Sequence, residues 1–287
     1  MKEQQYIIKN PKCFNLKDIF TCGQCFRWEE NEDKSYTGIV KENVINIKEQ
    51  GNDYVIKSVG NDEIEKLVID YFDLNRDYKA LQEKLSKIDE NMEKSIKYGQ
   101  GIRLLNQDLW ETLISFIISA NNNIPRIQKI IKRLSKNFGK KIIFENNEYY
   151  TFPTAQELKD VTIEKYRELG LGFRDKRIYE TTQIILENKV NLQELENNPN
   201  TLEVRETLLT LPGVGPKVAD CILLFSDLKR LEVFPIDVWV NRVMNELYIH
   251  GDENKISKKQ IEQIAKEKFG NLAGLAQQYL FYWRRDS

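Results

Sequence analysis

Histidine is almost missing from this 287-residue chain, where His250 stands alone, and cysteine is scarce, with Cys13, Cys22, Cys25 and Cys221. The one close cysteine pair, Cys22-Gly-Gln-Cys25, has no second pair to complete a zinc site of the usual Cys/His type. Four cysteines also do not make the disulfide framework of a small secreted domain. No apolar run approaches the roughly 20 residues that cross a bilayer, and residues 1–10 lack the apolar core of an export signal, so no membrane partner and a cytoplasmic location are the expectations. Excess positive charge is absent too: 43 Lys+Arg face 44 Asp+Glu, a net charge of −1. A nucleic-acid binder that works by bulk charge is thereby excluded; contact with a polyanion must come from local clusters and main-chain amides.

A chain of this length can bury one large or two modest cores. Three segments, residues 35–40, 44–48 and 54–57, alternate apolar and polar with period two and are separated by Lys41-Glu42-Asn43 and Gln50-Gly51-Asn52-Asp53, which predicts an antiparallel meander. From Asp62 the period lengthens: Ile64, Leu67, Val68, Tyr71 and Phe72 fall at helical spacing. Beyond Gly99 the pattern is helical except for a hairpin around 142–152. The fold class is therefore α+β, with an N-terminal sheet-and-helix domain over 1–98 and an all-α domain over 99–287. Thr154-Ala155-Gln156-Glu157 has the form of a capping box opening a further helix.

The most informative stretch runs from Thr207 to Val243. Leu208, Leu209 and Leu211 close an apolar helix that Pro212 and Gly213 stop; Gly213, Val214 and Gly215 form a turn whose backbone can take positive φ; Pro216 suits the first position of a new helix to about Ser226. Lys217 then lies in the first turn of a nearly apolar helix, where desolvation and the positive helix end both favour the free amine. A free amine is a nucleophile towards carbon at the carbonyl oxidation level. Pro235-Ile236-Asp237 precedes the amphipathic run 238–244, placing Asp237 as an N-cap whose carboxylate can also steady a developing cation.

Four further runs stand in order around it: Gly23-Gln24-Cys25-Phe26-Arg27-Trp28; Asn121-Asn122-Asn123-Ile124-Pro125-Arg126; Leu169 to Arg174, reading LGLGFR; and Leu272 to Phe281, in which Gln277 and Phe281 share a helix face. Taken with LPGVGPK and the later Pro-Ile-Asp-Val, this order resembles the helix-hairpin-helix DNA glycosylases, and within them the 8-oxoguanine glycosylase/lyase branch, across essentially the full chain. The resemblance implies that Lys217 is the nucleophile and Asp237 its electrostatic partner. It assigns the lesion base to Gly23, Cys221, Gln277 and Phe281. The Gly23 carbonyl would accept the hydrogen that 8-oxoguanine carries at N7 and oppose the lone pair of guanine there, a discrimination worth about 1–3 kcal/mol. It assigns the gap in the duplex and the orphaned cytosine to Asn121, Arg126, Phe173 and Arg174, and the DNA backbone to the hairpin Gly213, Val214 and Gly215.

Three positions depart from the family pattern. Cys25 stands where serine is more usual, Phe173 where tyrosine is usual, and Trp239 where better-known relatives carry a phosphate-contacting histidine. The last cysteine is Cys221, so the C-terminal iron–sulfur cluster of some relatives is not expected. No cofactor is implied, although relatives hold a structural cation on hairpin carbonyls of this kind. Lys129, Lys132, Arg133, Lys136, Lys140 and Lys141 form a basic face open to phosphate or simply to solvent. The reading is a monomeric enzyme acting on double-stranded DNA that contains 8-oxoguanine. Its rivals are a relative acting on oxidised pyrimidines or alkylated purines and a non-catalytic DNA-binding module.

Overall fold

The structure, a computed structural model, describes residues 1–252 and 256–286. The chain begins with β1 (Lys2–Ile8), α1 (Leu16–Thr21) and a short β2 (Trp28–Glu30). The predicted meander then forms as β3 (Tyr36–Val40), β4 (Asn43–Gln50) and β5 (Asp53–Gly60). All five strands make one antiparallel sheet in the order β1-β5-β4-β3-β2. Alternation along β4 and β5 puts Ile45, Ile47 and Ile56 on one face, where they meet Phe20, Trp28 and Phe72.

Helices follow: α2 (Ile64–Tyr71), α3 (Tyr78–Ser86), α4 (Glu90–Tyr98), α5 (Leu109–Ser119) and α6 (Ile124–Phe138). The expected hairpin is β6 (Lys141–Phe144) with β7 (Asn147–Tyr150). Its Ile142 and Phe144 cover Val44 and Val59 on the second face of the sheet. Then come α7 (Ile163–Glu168), a 3₁₀ turn at Gly172–Arg174, α8 (Asp175–Leu186), α9 (Leu192–Asn197), α10 (Thr201–Leu209), α11 (Pro216–Phe225), α12 (Val238–Met244), α13 (Lys258–Phe269) and α14 (Ala273–Asp286). The α+β class is as the pattern predicts.

One local expectation fails. Thr154 and Glu157 exchange the capping-box bonds, Glu157 N to Thr154 Oγ1 at 3.2 Å and Thr154 N to Glu157 Oε2 at 2.8 Å, yet residues 155–160 stay a chain of turns. Pro153 carbonyl, just before them, is held by the buried Trp110 indole at 2.9 Å, which anchors the segment as a connector.

A few buried polar groups fix how the sheet meets the helices. Gln24 is fully buried; its amide nitrogen donates to the carbonyls of Ile19 and Arg103 at 2.9 and 2.8 Å, and its Oε1 accepts from Leu105 N at 2.9 Å. Gln107 Nε2 donates to the Gln24 carbonyl at 2.8 Å and to the Phe225 carbonyl at 2.9 Å. Phe225 ends α11, so the Gly23–Trp28 turn is tied through one amide to the helix that carries Lys217. α14 approaches the same turn, with Gln278 Nε2 donating to the Cys22 carbonyl. Substituting Gln24→Leu keeps the volume but leaves the Arg103 carbonyl and the Leu105 amide without their partner and the Ile19 carbonyl with only the Cys22 thiol, and should cost about 3 kcal/mol of stability. Urea unfolding measures it; a change within 0.5 kcal/mol, about the range of an ordinary surface substitution, would contradict this account of the junction.

Candidate active site

α11 forms where the sequence places it. Pro216 occupies its first turn, and its interior side chains Val218, Ala219, Ile222, Leu223, Leu224 and Phe225 are buried, each large one worth about 2 kcal/mol of burial. Its N-cap, Gly215, has φ −93° and offers no side-chain cap, so the first-turn amides point out uncapped. Of the two turn glycines only Gly213 takes the positive φ expected of both, at +87°. Around the turn, Val214 N donates to the Leu211 carbonyl at 3.1 Å and Thr181 Oγ1 to the Pro212 carbonyl at 3.1 Å. Arg205 on α10 grips Asp220 on α11 through Nε at 2.6 Å and Nη2 at 3.2 Å, pinning the two helices of the hairpin.

Lys217 is half-buried at the head of this helix, its Nζ 5.4 Å from the centre of the Phe116 ring. Phe116 itself meets Phe26 edge-on at 5.5 Å and stacks on Phe225 at 5.6 Å. One helical turn on, Cys221 is buried and hydrogen-bonded to Lys217. Asp237 caps α12, its Oδ1 accepting from Val240 N at 2.8 Å. Its field reaches Lys217 as well.

The charge state of Lys217 differs from the expectation of a free amine. Cys221 and Asp237 hold the ammonium above the usual lysine range, Cys221 contributing most, while burial pulls the other way. Burial also pushes the Cys221 thiol up to about 11. At neutral pH Cys221 is therefore a neutral dipole beside the ammonium, and Asp237 is the full negative charge that favours it. Desolvation was legible in the sequence, and resemblance supplied Asp237 as the electrostatic partner; that Cys221 and Asp237 together outweigh burial was not legible.

Gln277 and Phe281 lie one turn apart on α14, as the spacing predicts, with Gln277 buried and its Oε1 without a hydrogen-bond partner. Gly23 has φ +90°, and a Cβ added there would lie 3.5 Å from Phe281 Cε1. Residues 258 positions apart are thus neighbours. Val240, Met244, Gln277 and Phe281 line a slot whose walls close on one another and leave no room for a water molecule. A base can enter only as those walls part.

The three asparagines divide their work. Asn122 Nδ2 donates to the Ile118 carbonyl at 3.1 Å, Asn123 caps α6 by accepting from Arg126 N at 3.0 Å, and Asn121 is exposed with φ +50°. Arg174 is 1% exposed: Nε donates to the Ala120 carbonyl at 2.9 Å, Nη2 to the Asn121 carbonyl at 2.8 Å and Nη1 to the Leu171 carbonyl at 3.3 Å. Its guanidinium builds the Asn121 turn. Arg126 is exposed, with Nη2 3.9 Å from where a Gly172 Cβ would stand. Phe173 is 53% exposed beneath the guanidinium carbon of Arg174 at 4.2 Å. Asn121, Arg126 and Phe173 form one exposed corner beside the hairpin, and the buried Arg174 holds its backbone.

Trp239 is 49% exposed, with Arg242 5.9 Å from its ring. Half of the basic face is engaged: Lys132, Lys140 and Lys141 pair with Glu29, Glu42 and Glu148. Cys22 and Cys25 are buried free thiols, both pushed upward by burial. Among the described residues no three His, Cys, Asp or Glu side chains gather as a metal site. Phe26 stands in the Gly23–Trp28 run but without a role read for it, and Phe116 and Gln107, which also shape the surroundings of Lys217, carry no signal in a single sequence beyond apolar or polar periodicity.

The hairpin, its lysine and the capping aspartate define the class. Residues 114–271 match the model of the HhH-GPD superfamily of base excision DNA repair proteins, to which the chain belongs, and residues 6–113 match the N-terminal domain of 8-oxoguanine DNA glycosylase. The N-glycosylase/DNA lyase of Saccharomyces cerevisiae is 33% identical, covering 96% of this chain and 84% of that protein. The 8-oxoguanine glycosylase/lyase of Clostridium acetobutylicum in its apo-form superposes with a TM-score of 0.92 at 43% identity over 98% of each chain. The chain is thus a member of the 8-oxoguanine glycosylase/DNA lyase family and an enzyme.

Because Asp237 favours the Lys217 ammonium, Asp237→Asn should move the alkaline rise of single-turnover base release to lower pH while lowering its plateau. Asparagine keeps the cap, so melting temperature should hold. An unmoved pH profile would contradict the coupling.

Proposed function

We propose that the protein excises 8-oxoguanine, preferably opposite cytosine, from duplex DNA and then cleaves the strand as an AP lyase, acting as a monomer. The observation that carries this reading is the gathering of Lys217, Cys221 and Asp237 within electrostatic reach of one another, in a fold whose α12–α14 slot carries the Phe281 ring and the buried, unpartnered Gln277 Oε1. A structure of the Clostridium acetobutylicum enzyme in complex with double-stranded DNA containing cytosine opposite 8-oxoguanine, 42% identical with a TM-score of 0.92, supports the choice of substrate.

In this reading the lesion nucleotide turns out of the duplex and parts the walls of the slot. Gln277 presents its amide to the Watson–Crick edge, Phe281 and Cys221 take the two faces, and the Gly23 carbonyl accepts the N7 hydrogen. Arg126, Asn121 and Phe173 fill the gap left behind, and Arg174, its guanidinium spent on the carbonyls of Ala120, Asn121 and Leu171, supports them by holding the Asn121 turn. Uncapped amides at Gly215 and Lys217, with the Gly213-Val214 turn, receive a phosphate of the lesion strand. Trp239 has one donor and no charge, so it does not replace the phosphate contact of a histidine.

Chemistry begins with loss of a proton from the Lys217 ammonium. The freed amine pair then forms a bond to C1′ as the bond from C1′ to the base breaks, and the departing base takes that electron pair and a proton. Asp237 stabilises the positive charge that grows on the sugar. Opening of the sugar ring converts the adduct to a Schiff base, which makes a C2′ proton acidic. Its removal expels the 3′ phosphate by β-elimination, and hydrolysis returns Lys217. No cofactor enters these steps. The fold through residue 98 supplies Gly23 and the helical part from residue 99 supplies the rest, so the site belongs to their junction.

Lys217→Gln should abolish both base release and covalent trapping of an 8-oxoguanine duplex by borohydride. Retained trapping would refute the assignment, and preference for an oxidised pyrimidine or alkylated purine in a substrate panel would favour the sister activities.

A further inference from the structure

Arg126, Arg174 and Arg177 surround the exposed Phe173 corner, and none of them forms an ion pair among the described residues. Burial first, then the positive charges of Arg126 and Arg177, push the Arg174 guanidinium below the usual arginine range. The two carboxylates of the same helix on either side of Arg177 are engaged elsewhere, Asp175 by Arg167 at 2.8 Å and by Lys176 N, and Glu180 by Lys176 at 3.6 Å. In a chain of net charge −1 with abundant surface ion pairs, three mutually repelling guanidinium groups without a counter-charge mark a place for an anion.

Arg174 is consumed by main-chain carbonyls, and Arg126 lies at the outer edge of the corner. Arg177 is different. It is half-buried on α8, with its guanidinium carbon 5.1 Å from the Phe173 ring centre and its Cδ and Cβ 3.0 and 3.2 Å from where a Gly213 Cβ would sit. A Cβ at 213 would press on that stem and on Ile117, so the stem would have to give by a few tenths of an ångström, and the φ of +87° there favours glycine as well. The same helix donates Thr181 Oγ1 to the Pro212 carbonyl. α8 thus holds the wedge at its start and the hairpin along its side, and Arg177 spans the two.

We propose that Arg177 is a DNA-positioning residue which binds a phosphodiester lying between the Phe173 wedge and the Gly213 hairpin, so that insertion at the gap and seating of the hairpin on the backbone occur together. The proposal rests on the function proposed above and adds to it a contact that makes no covalent bond. Arg177 also packs against Gly213, and the test must separate charge from packing. Arg177→Met keeps the stem and removes the charge; Arg177→Lys keeps the charge.

Binding of an 8-oxoguanine duplex is measured from 50 to 200 mM salt, with borohydride trapping at saturating protein as a control. Arg177→Met should bind about tenfold more weakly at low salt and lower the slope of log affinity against log salt by about 0.9, the loss of one phosphate contact. Arg177→Lys should retain most of the slope, and both variants should still trap. An unchanged slope in Arg177→Met overturns the proposal, whether affinity is kept or falls through lost packing against Phe173. Loss of trapping with normal binding would instead indict the catalytic reading.

Discussion

A cationic amine sits at the positive end of a helix whose other side chains are almost all apolar, and the rest of the site exists to make that placement tolerable and then useful. Desolvation and the helix dipole oppose the charge on Lys217; the Cys221 dipole, the Phe116 ring and the Asp237 carboxylate offset them. The same carboxylate caps α12, so helix start and counter-charge are one group. Removing the proton from Lys217 turns this balance over. The amine becomes a nucleophile, and Asp237 is left facing the positive charge that appears on the sugar.

Holding the amine in register requires the two halves of the chain to meet without slack. Gln24 and Gln107 link the Gly23 turn to the end of α11 through buried main-chain groups, and Gln278 links it to α14. Phe26, from the same turn, lies against the ring beneath Lys217. Recognition of the base and positioning of the nucleophile therefore share one scaffold. The slot between α12 and α14 is closed, which places part of the specificity in the work of opening it.

Local pattern made much of this legible. The period-two segments became β3, β4 and β5, the Pro216 start and apolar run became α11, and the Asp237 cap became the start of α12, because each depends on neighbours a few residues away. The proximity of Gly23 and Phe281 has no local signature and was reached only through resemblance. Charge was harder still: the sequence reading had Asp237 as the electrostatic partner of Lys217 but let desolvation and the helix end decide the charge of the amine, whereas Cys221 first and Asp237 after it hold the ammonium. Residues 155–160 stayed as turns for a similar reason, since a capping box can close a turn without a helix to follow. Arg177 reads as one more surface cation until α8 is seen lying between wedge and hairpin.

The central claim is that one particular amine bonds to the sugar, and peptide mapping of the borohydride-trapped complex by mass spectrometry tests it directly. The account predicts a deoxyribose-derived adduct confined to the peptide containing Lys217. An adduct on the N-terminal amine or on another lysine, such as the half-buried Lys229 that donates to the carbonyls of Leu104 and Leu105, would contradict it.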